Sequence, residues 1–278
     1  MPKRHAVIGI MLSVALGCAQ AQWLNYPETR TPRTKDGKPN LTAPAPRAPD
    51  GKPDLSGVWT IDPTPPAELN RVLGADFTDV QIDLRIGSKY AVNLLWDLKP
   101  EDDPITPEGA ALMKQRAQAS GRDDCLPAGI PFTMLILPFK AIQSPREVVM
   151  IFEHQDPPRQ IYLDGRPLPR DPEPSFMGYS SGKWQGDTLV VDSAGFKNGK
   201  GLDIFGHPRG ESTHIVERFH RRDFGHMDLE LRVEDPKFYS RPLAVKMVFN
   251  LLPDTDVLEY ICGENEKDRV HIGTHPEK

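Results

Sequence analysis

The 278-residue sequence contains no apolar run of the ~18–20 residues that a membrane-crossing helix needs. Cysteine is scarce, at three residues, and no C-x-x-C spacing sets two of them up for redox or metal chemistry. Basic charge is not in excess. The formal net charge is −5, which argues against a nucleic-acid binder held by electrostatics. H-x-H, H-E-x-x-H and cysteine-paired spacings are missing, so no metal site is expected. No nucleotide fingerprint or haem motif occurs, and no cofactor is expected. Proline is plentiful, with 29 against 22 glycines. Proline breaks helix interiors and central strands, so long helices are not the main architecture. The hydrophobic fraction of 38% is still enough to build a core.

Residues 1–21 read as a secretory signal. Lys3, Arg4 and His5 form a basic start, Ala6 to Gly17 an apolar stretch, and Ala19-Gln20-Ala21 an A-x-A cleavage site. The mature chain then begins at Gln22, in the periplasm or outside the cell. Lipidation at Cys18 is the alternative. Cleavage after Ala21 leaves Cys125 and Cys262. In an oxidising compartment such a pair is expected to form a disulfide.

Residues 22–53 are rich in proline and poor in large apolar residues, which predicts an extended arm or linker. The arm carries a short duplication. Asp36-Gly37-Lys38-Pro39-Asn40-Leu41-Thr42 recurs as Asp50-Gly51-Lys52-Pro53-Asp54-Leu55-Ser56, and both copies have turn chemistry. Residues 54–278 read as one domain. Thr106 caps a helix predicted over 107–119, with Pro107 at its first position.

Strand patterns dominate the rest. Strands are predicted at Gly57–Ile61, Val148–Phe152, Gln160–Leu163, Tyr179–Gln185, Thr188–Asp192, Thr213–Arg222, Met227–Glu234, Leu243–Asn250 and Val257–Cys262. The Gly186-Asp187 link matches a type II′ hairpin and sets Trp184 opposite Leu189. Met227, Leu229, Leu231 and Val233 alternate with Asp228, Glu230, Arg232 and Glu234. About eight or nine strands with short turns make a mostly β chain. An antiparallel meander loses its open edges by closing into a barrel, and a two-sheet sandwich is the competing arrangement.

Gly57-Val58-Trp59, on the first strand after a coil arm, resembles the G-x-W that opens lipocalin-like (calycin-like) barrels, where the tryptophan plugs the closed end. The chain-long pattern resembles a broad group of uncharacterised exported proteins, frequent in acidobacteria and other environmental Gram-negative bacteria. Its matching segments are residues 53–59, 125–131, 159–166 and 182–191, then His214 with Glu217-Arg218-Phe219, and residues 259–262. The resemblance implies export and a barrel-like β-fold, and it supplies no catalytic residues.

Residues 203–228 are the densest titratable stretch. On the 213–222 strand His214, Val216, Arg218 and His220 share one face, and Thr213, Ile215, Glu217 and Phe219 the other. His214 and His220 lie six residues apart, roughly 20 Å along a strand, too far to share an ion. Gly195 to Gly201 is glycine-rich, but no helix follows to hold phosphate, so it reads as a loop. Three functions are open. The first is a binding module whose barrel encloses a small, largely apolar ligand such as a lipid, terpenoid or aromatic compound. Trp184, Tyr162, Tyr179 and Tyr260 would line it, and Arg218, His226 or His214 would fix a polar end. The second is a cofactor-free acid–base enzyme (hydratase, isomerase, cyclase or hydrolase) using His214 with Glu217, or Asp164 beside Arg159 or Arg166. The third is an envelope interaction protein with a filled barrel and a partner-contacting arm.

Overall fold

A computed structural model describes residues 26–73, 88–119, 126–197 and 199–259. Nine strands form one closed barrel in chain order. They are β1 (Gly57–Ile61), β2 (Phe139–Gln143), β3 (Glu147–Phe152), β4 (Arg159–Tyr162) and β5 (Tyr179–Gln185), then β6 (Thr188–Ala194), β7 (His214–Arg221), β8 (His226–Glu234) and β9 (Leu243–Leu251). Closure comes from β1 pairing with both β2 and β9, with Trp59 opposite Phe139 on one side and Leu251 on the other. The sandwich is thereby excluded.

The sheet differs from the expected meander in one pairing. β4 and β5 run parallel, Ile161 beside Ser180, while every other neighbour is antiparallel. A parallel step needs a long connection, and residues 163–178 supply it. Two strand expectations shift. Phe139–Gln143 forms β2, although Leu137-Pro138 before it gave no strand signal. Residues 257–259 are not a strand, and β9 is the last one described. The barrel still has nine strands. Among the described residues the helices are short: α1 (Pro66–Leu73), α2 (Lys89–Val92), α3 (Pro107–Ala119) and α4 (Thr133–Ile136), with a 3₁₀ turn at Pro100–Asp102. The predicted 107–119 helix is α3, and the Thr106 hydroxyl accepts the Gly109 N–H at 3.1 Å. No helix among the described residues is long and apolar enough to cross a membrane.

Alternation fills the barrel. Met227, Leu229, Leu231 and Val233 of β8 are buried, and the charged residues between them face out. Trp59, Phe139, Phe152, Phe219 and Phe249 are also buried inside. Phe139 meets Phe249 edge-on at 5.2 Å and Phe152 at 6.2 Å. Trp184 faces Leu189 as expected, with Gly186 at φ +62° in the hairpin turn.

The Pro-rich arm is folded against the barrel rather than free. The duplicated segments make two matching turns. Thr34 N–H donates to Lys38 O and Ala48 N–H to Lys52 O, at 2.9 and 2.8 Å. Asn40 N–H to Pro32 O and Asp54 N–H to Pro46 O repeat the next bond, at 2.7 and 2.9 Å. Gly37 and Gly51 sit at φ +81° and +80°, where the turn needs glycine. The duplication also extends to Pro32-Arg33 and Pro46-Arg47. Each arginine donates to its own turn glycine carbonyl, then to an aspartate on the barrel: Arg33 to Asp254 and Arg47 to Asp187. Between these clips, Leu41 and Ala43 accept backbone bonds from Gly225 and Phe224 in the β7–β8 turn, both at 2.7 Å. Leu55 then enters the core, its N–H on Gln143 Oε1 at 3.0 Å. The arm thus touches β9's exit and three hairpins at one end of the barrel.

Candidate binding cleft and the barrel interior

Two places in the fold combine polar chemistry with a defined shape. The first lies inside the barrel, where β4, β5, β6 and β7 contribute Arg159, Ser180, Ser193 and Glu217 to one buried network. Arg159 donates from both terminal nitrogens to the Glu217 carboxylate, the Nη1–Oε1 bond being 2.9 Å. Its Nε reaches Ser180 Oγ at 3.2 Å and its Nη2 reaches Ser193 Oγ at 3.0 Å. The serine hydroxyls bond each other at 2.8 Å. All four residues are buried, so a planar guanidinium and a carboxylate neutralise each other away from water. With its partners all supplied from within, this network forms a fixed polar row whose cross-strand neighbours Met150, Val191 and Leu231 are apolar.

The second is a cleft of about 870 Å³ at the Trp59 end, between the arm and the barrel. That size suits a small-molecule site. Its floor is built around the G-x-W. Gly57 has φ +147°, and a Cβ there would lie 2.5 Å from Leu251 Cδ1, so β1 starts with glycine. Trp59 is fully buried and donates its indole N–H to Leu55 O at 2.9 Å. Arg221 of β7 lies over that indole and donates to the carbonyls of Asp54, Ser56, Asp223 and Phe224. Burial lowers the Arg221 guanidinium to about 10. Val58, Ile142, Phe224, Leu251 and Leu252 give the cleft apolar wall, and Tyr26 stands exposed at its mouth. Comparison with family models, curated proteins and solved structures finds no match for this chain.

The expected site residues do not converge. Glu217 is buried inside the barrel, whereas His214 is on the outer face, its Nε2 3.5 Å from Asp192 Oδ1. Strand alternation puts the two on opposite sides of β7, so no acid–base pair forms between them. Arg218 is outside too, 3.7 Å from Glu230. Asp164 is a turn carboxylate held by Arg166, which draws it down to about 2; Arg159 points into the barrel instead. Tyr162 lies under the Arg166 guanidinium at 3.8 Å, and Tyr179 is exposed with its hydroxyl on Glu173 O. His226 pairs with Asp223 at 2.7 Å, at the cleft end but outside its lining. Trp184 is half-buried against the core, not in the cleft. Tyr260, Cys125, Cys262 and residues 1–21 lie outside the described residues.

Two His–Asp pairs lie at the opposite end, one of them, Asp203–His207, inside the titratable 203–228 stretch and the other, His154–Asp156, not marked by the sequence reading. His154 Nδ1 lies 2.5 Å from Asp156 Oδ2, and Asp156 Oδ1 accepts the Gly129 N–H at 2.7 Å. Burial pushes the Asp156 carboxyl up, but the bonds from His154 and Gly129 outweigh it and hold it below its usual range. His207 Nδ1 sits 2.5 Å from the buried Asp203, which also accepts the Leu94 N–H. Both are i, i+2 or i, i+4 spacings in loops, and such short-range patterns carry no distinct signal. Among the described residues no group of three or more His, Cys, Asp or Glu could hold a metal ion.

Proposed function

We propose that this chain is an exported binding module. It holds a small amphipathic molecule in the cleft between its N-terminal strap and the Trp59 end of the barrel. The observation that carries the reading is a division of space. Large aromatic side chains and the Arg159–Glu217 pair occupy the barrel interior, while the 870 Å³ cleft lies outside it. The apolar-ligand reading therefore moves from the barrel lumen to the strap. The signal-like residues 1–21 and the resemblance to exported proteins support a periplasmic or secreted setting.

Native mass spectrometry of the protein, expressed from its full sequence and purified from the periplasm, tests this. A reproducible adduct released on denaturation is expected, and Ile142→Glu, an exposed position in the cleft wall, should abolish it. An adduct that survives Ile142→Glu would place the ligand elsewhere. A bare mass in both proteins, from cells supplied with rich lipid medium, would favour an interaction protein with a filled barrel.

A further inference from the structure

Three of the four carboxylates that line the cleft are each paired with a cation of the protein. Three cations line it, Arg30, Lys140 and Arg221, with four carboxylates, Glu28, Asp54, Asp254 and Asp256. Arg33, outside the lining, pairs with one of these carboxylates, its Nη2 2.6 Å from Asp254 Oδ1. Lys140 Nζ is 2.6 Å from Asp256 Oδ2, on the wall formed by β2. Arg30 Nε is 3.3 Å from Glu28 Oε1 at the mouth. Arg221 bonds the main-chain carbonyl of Asp54, whose carboxylate accepts the Ser56 N–H at 2.9 Å. A ligand with net charge has to compete with a partner already in contact and leave that partner's charge uncovered. A neutral ligand displaces none of them. Carboxylate oxygens have spare lone pairs after one ion pair, and hydroxyl groups donate to them without adding charge. The apolar wall of Val58, Ile142, Leu251 and Leu252 lies in the same cleft, ready for a hydrocarbon body.

We infer that the cleft selects an uncharged amphiphile with a hydroxyl-bearing head, polyol or sugar-like, joined to an apolar tail. This rests on the binding reading above and names its ligand class.

The test uses three probes with one tail and three heads: octyl glucoside, octyl sulfate and octyltrimethylammonium, each below its micelle concentration. Affinity is measured by titration calorimetry on the full protein. Octyl glucoside is expected to bind at least about tenfold more tightly than either charged probe, with little change between low and high salt. A charged probe that binds as tightly, or more so, overturns the charge-matching inference while leaving the cleft as a site. If none of the three binds, both the inference and the cleft reading fall. Lys140→Gln gives a second arm at a part-exposed position. It leaves Asp256 without its cation, so octyltrimethylammonium should gain relative to octyl glucoside. An unchanged order in Lys140→Gln contradicts the role assigned to matched pairs.

Discussion

The Arg221 guanidinium lies 4.9 Å from the centre of the Trp59 ring, and joins the first strand of the barrel to the seventh. One face of the cation meets the indole π-cloud. Its edge donates to four main-chain carbonyls, two just before β1 and two in the β7–β8 turn.

Arg221→Leu keeps the hydrocarbon contact but strips one buried carbonyl, that of Phe224, and three part-buried ones, those of Asp54, Ser56 and Asp223, of this donor. The variant is expected to lose about 2–4 kcal/mol, because unmade buried hydrogen bonds cost more than made ones contribute. Urea unfolding measures it. A loss under about 0.5 kcal/mol would mean that water replaces the guanidinium there.

The interior pair behaves differently when broken and when replaced. Glu217→Leu leaves the buried Arg159 charge uncompensated and should cost about 3–5 kcal/mol. Arg159→Met combined with Glu217→Leu should recover most of that loss, since an apolar pair of similar volume suits the cross-strand neighbours Met150, Val191 and Leu231. A double-mutant cycle on unfolding free energies reads the coupling. Additive losses would show that the two side chains do not depend on each other.

Asp156 predicts an acid limb in stability. Its carboxyl is held below the ordinary value of ~3.9 in the folded chain, so the unfolded chain binds its proton first as pH falls. The resulting stability is complete above the ordinary carboxylate range and fades as pH drops through the folded value. Asp156→Asn should flatten the fall in urea midpoint below about pH 4. Parallel acid limbs in both proteins would remove Asp156 as a source.

Gly57→Ala places a Cβ 2.5 Å from Leu251 Cδ1 on a backbone at φ +147°. A loss of about 1–3 kcal/mol is expected. Gly51→Ala shares a positive φ but meets open space, so it should cost less. Thermal unfolding of the two variants ranks them, and equal losses would show that backbone strain alone sets the cost.

Much of the barrel was legible in sequence because half-buried strands advertise themselves by alternation. β8 is the clearest example, with Met227 to Val233 inward and charges outward. β2 was hidden because Phe139-Lys140-Ala141-Ile142 is short and follows a proline. The parallel β4–β5 pair was hidden because strand direction leaves no mark on side-chain periodicity. Glu217 stood out as a buried candidate, but its partner Arg159 is 58 positions away and only the closed sheet brings them together. The cleft was the least legible feature. Its walls come from the strap, β1, β2 and the exit of β9, and the Pro-rich strap reads as linker because its fold depends on bonds to the barrel rather than on its own apolar content.

The pairing of β1 with β9 also sets an order of events. Glu28 bonds Asp254 across 226 positions, and the barrel shuts only when β9 meets β1. A chain made from its N-terminus therefore has no closed sheet until Leu251 has emerged. Until then β1 and β8 stand as bare edges, able to recruit strands from neighbouring copies. A stop codon anywhere before β9 should yield aggregate rather than a smaller folded protein.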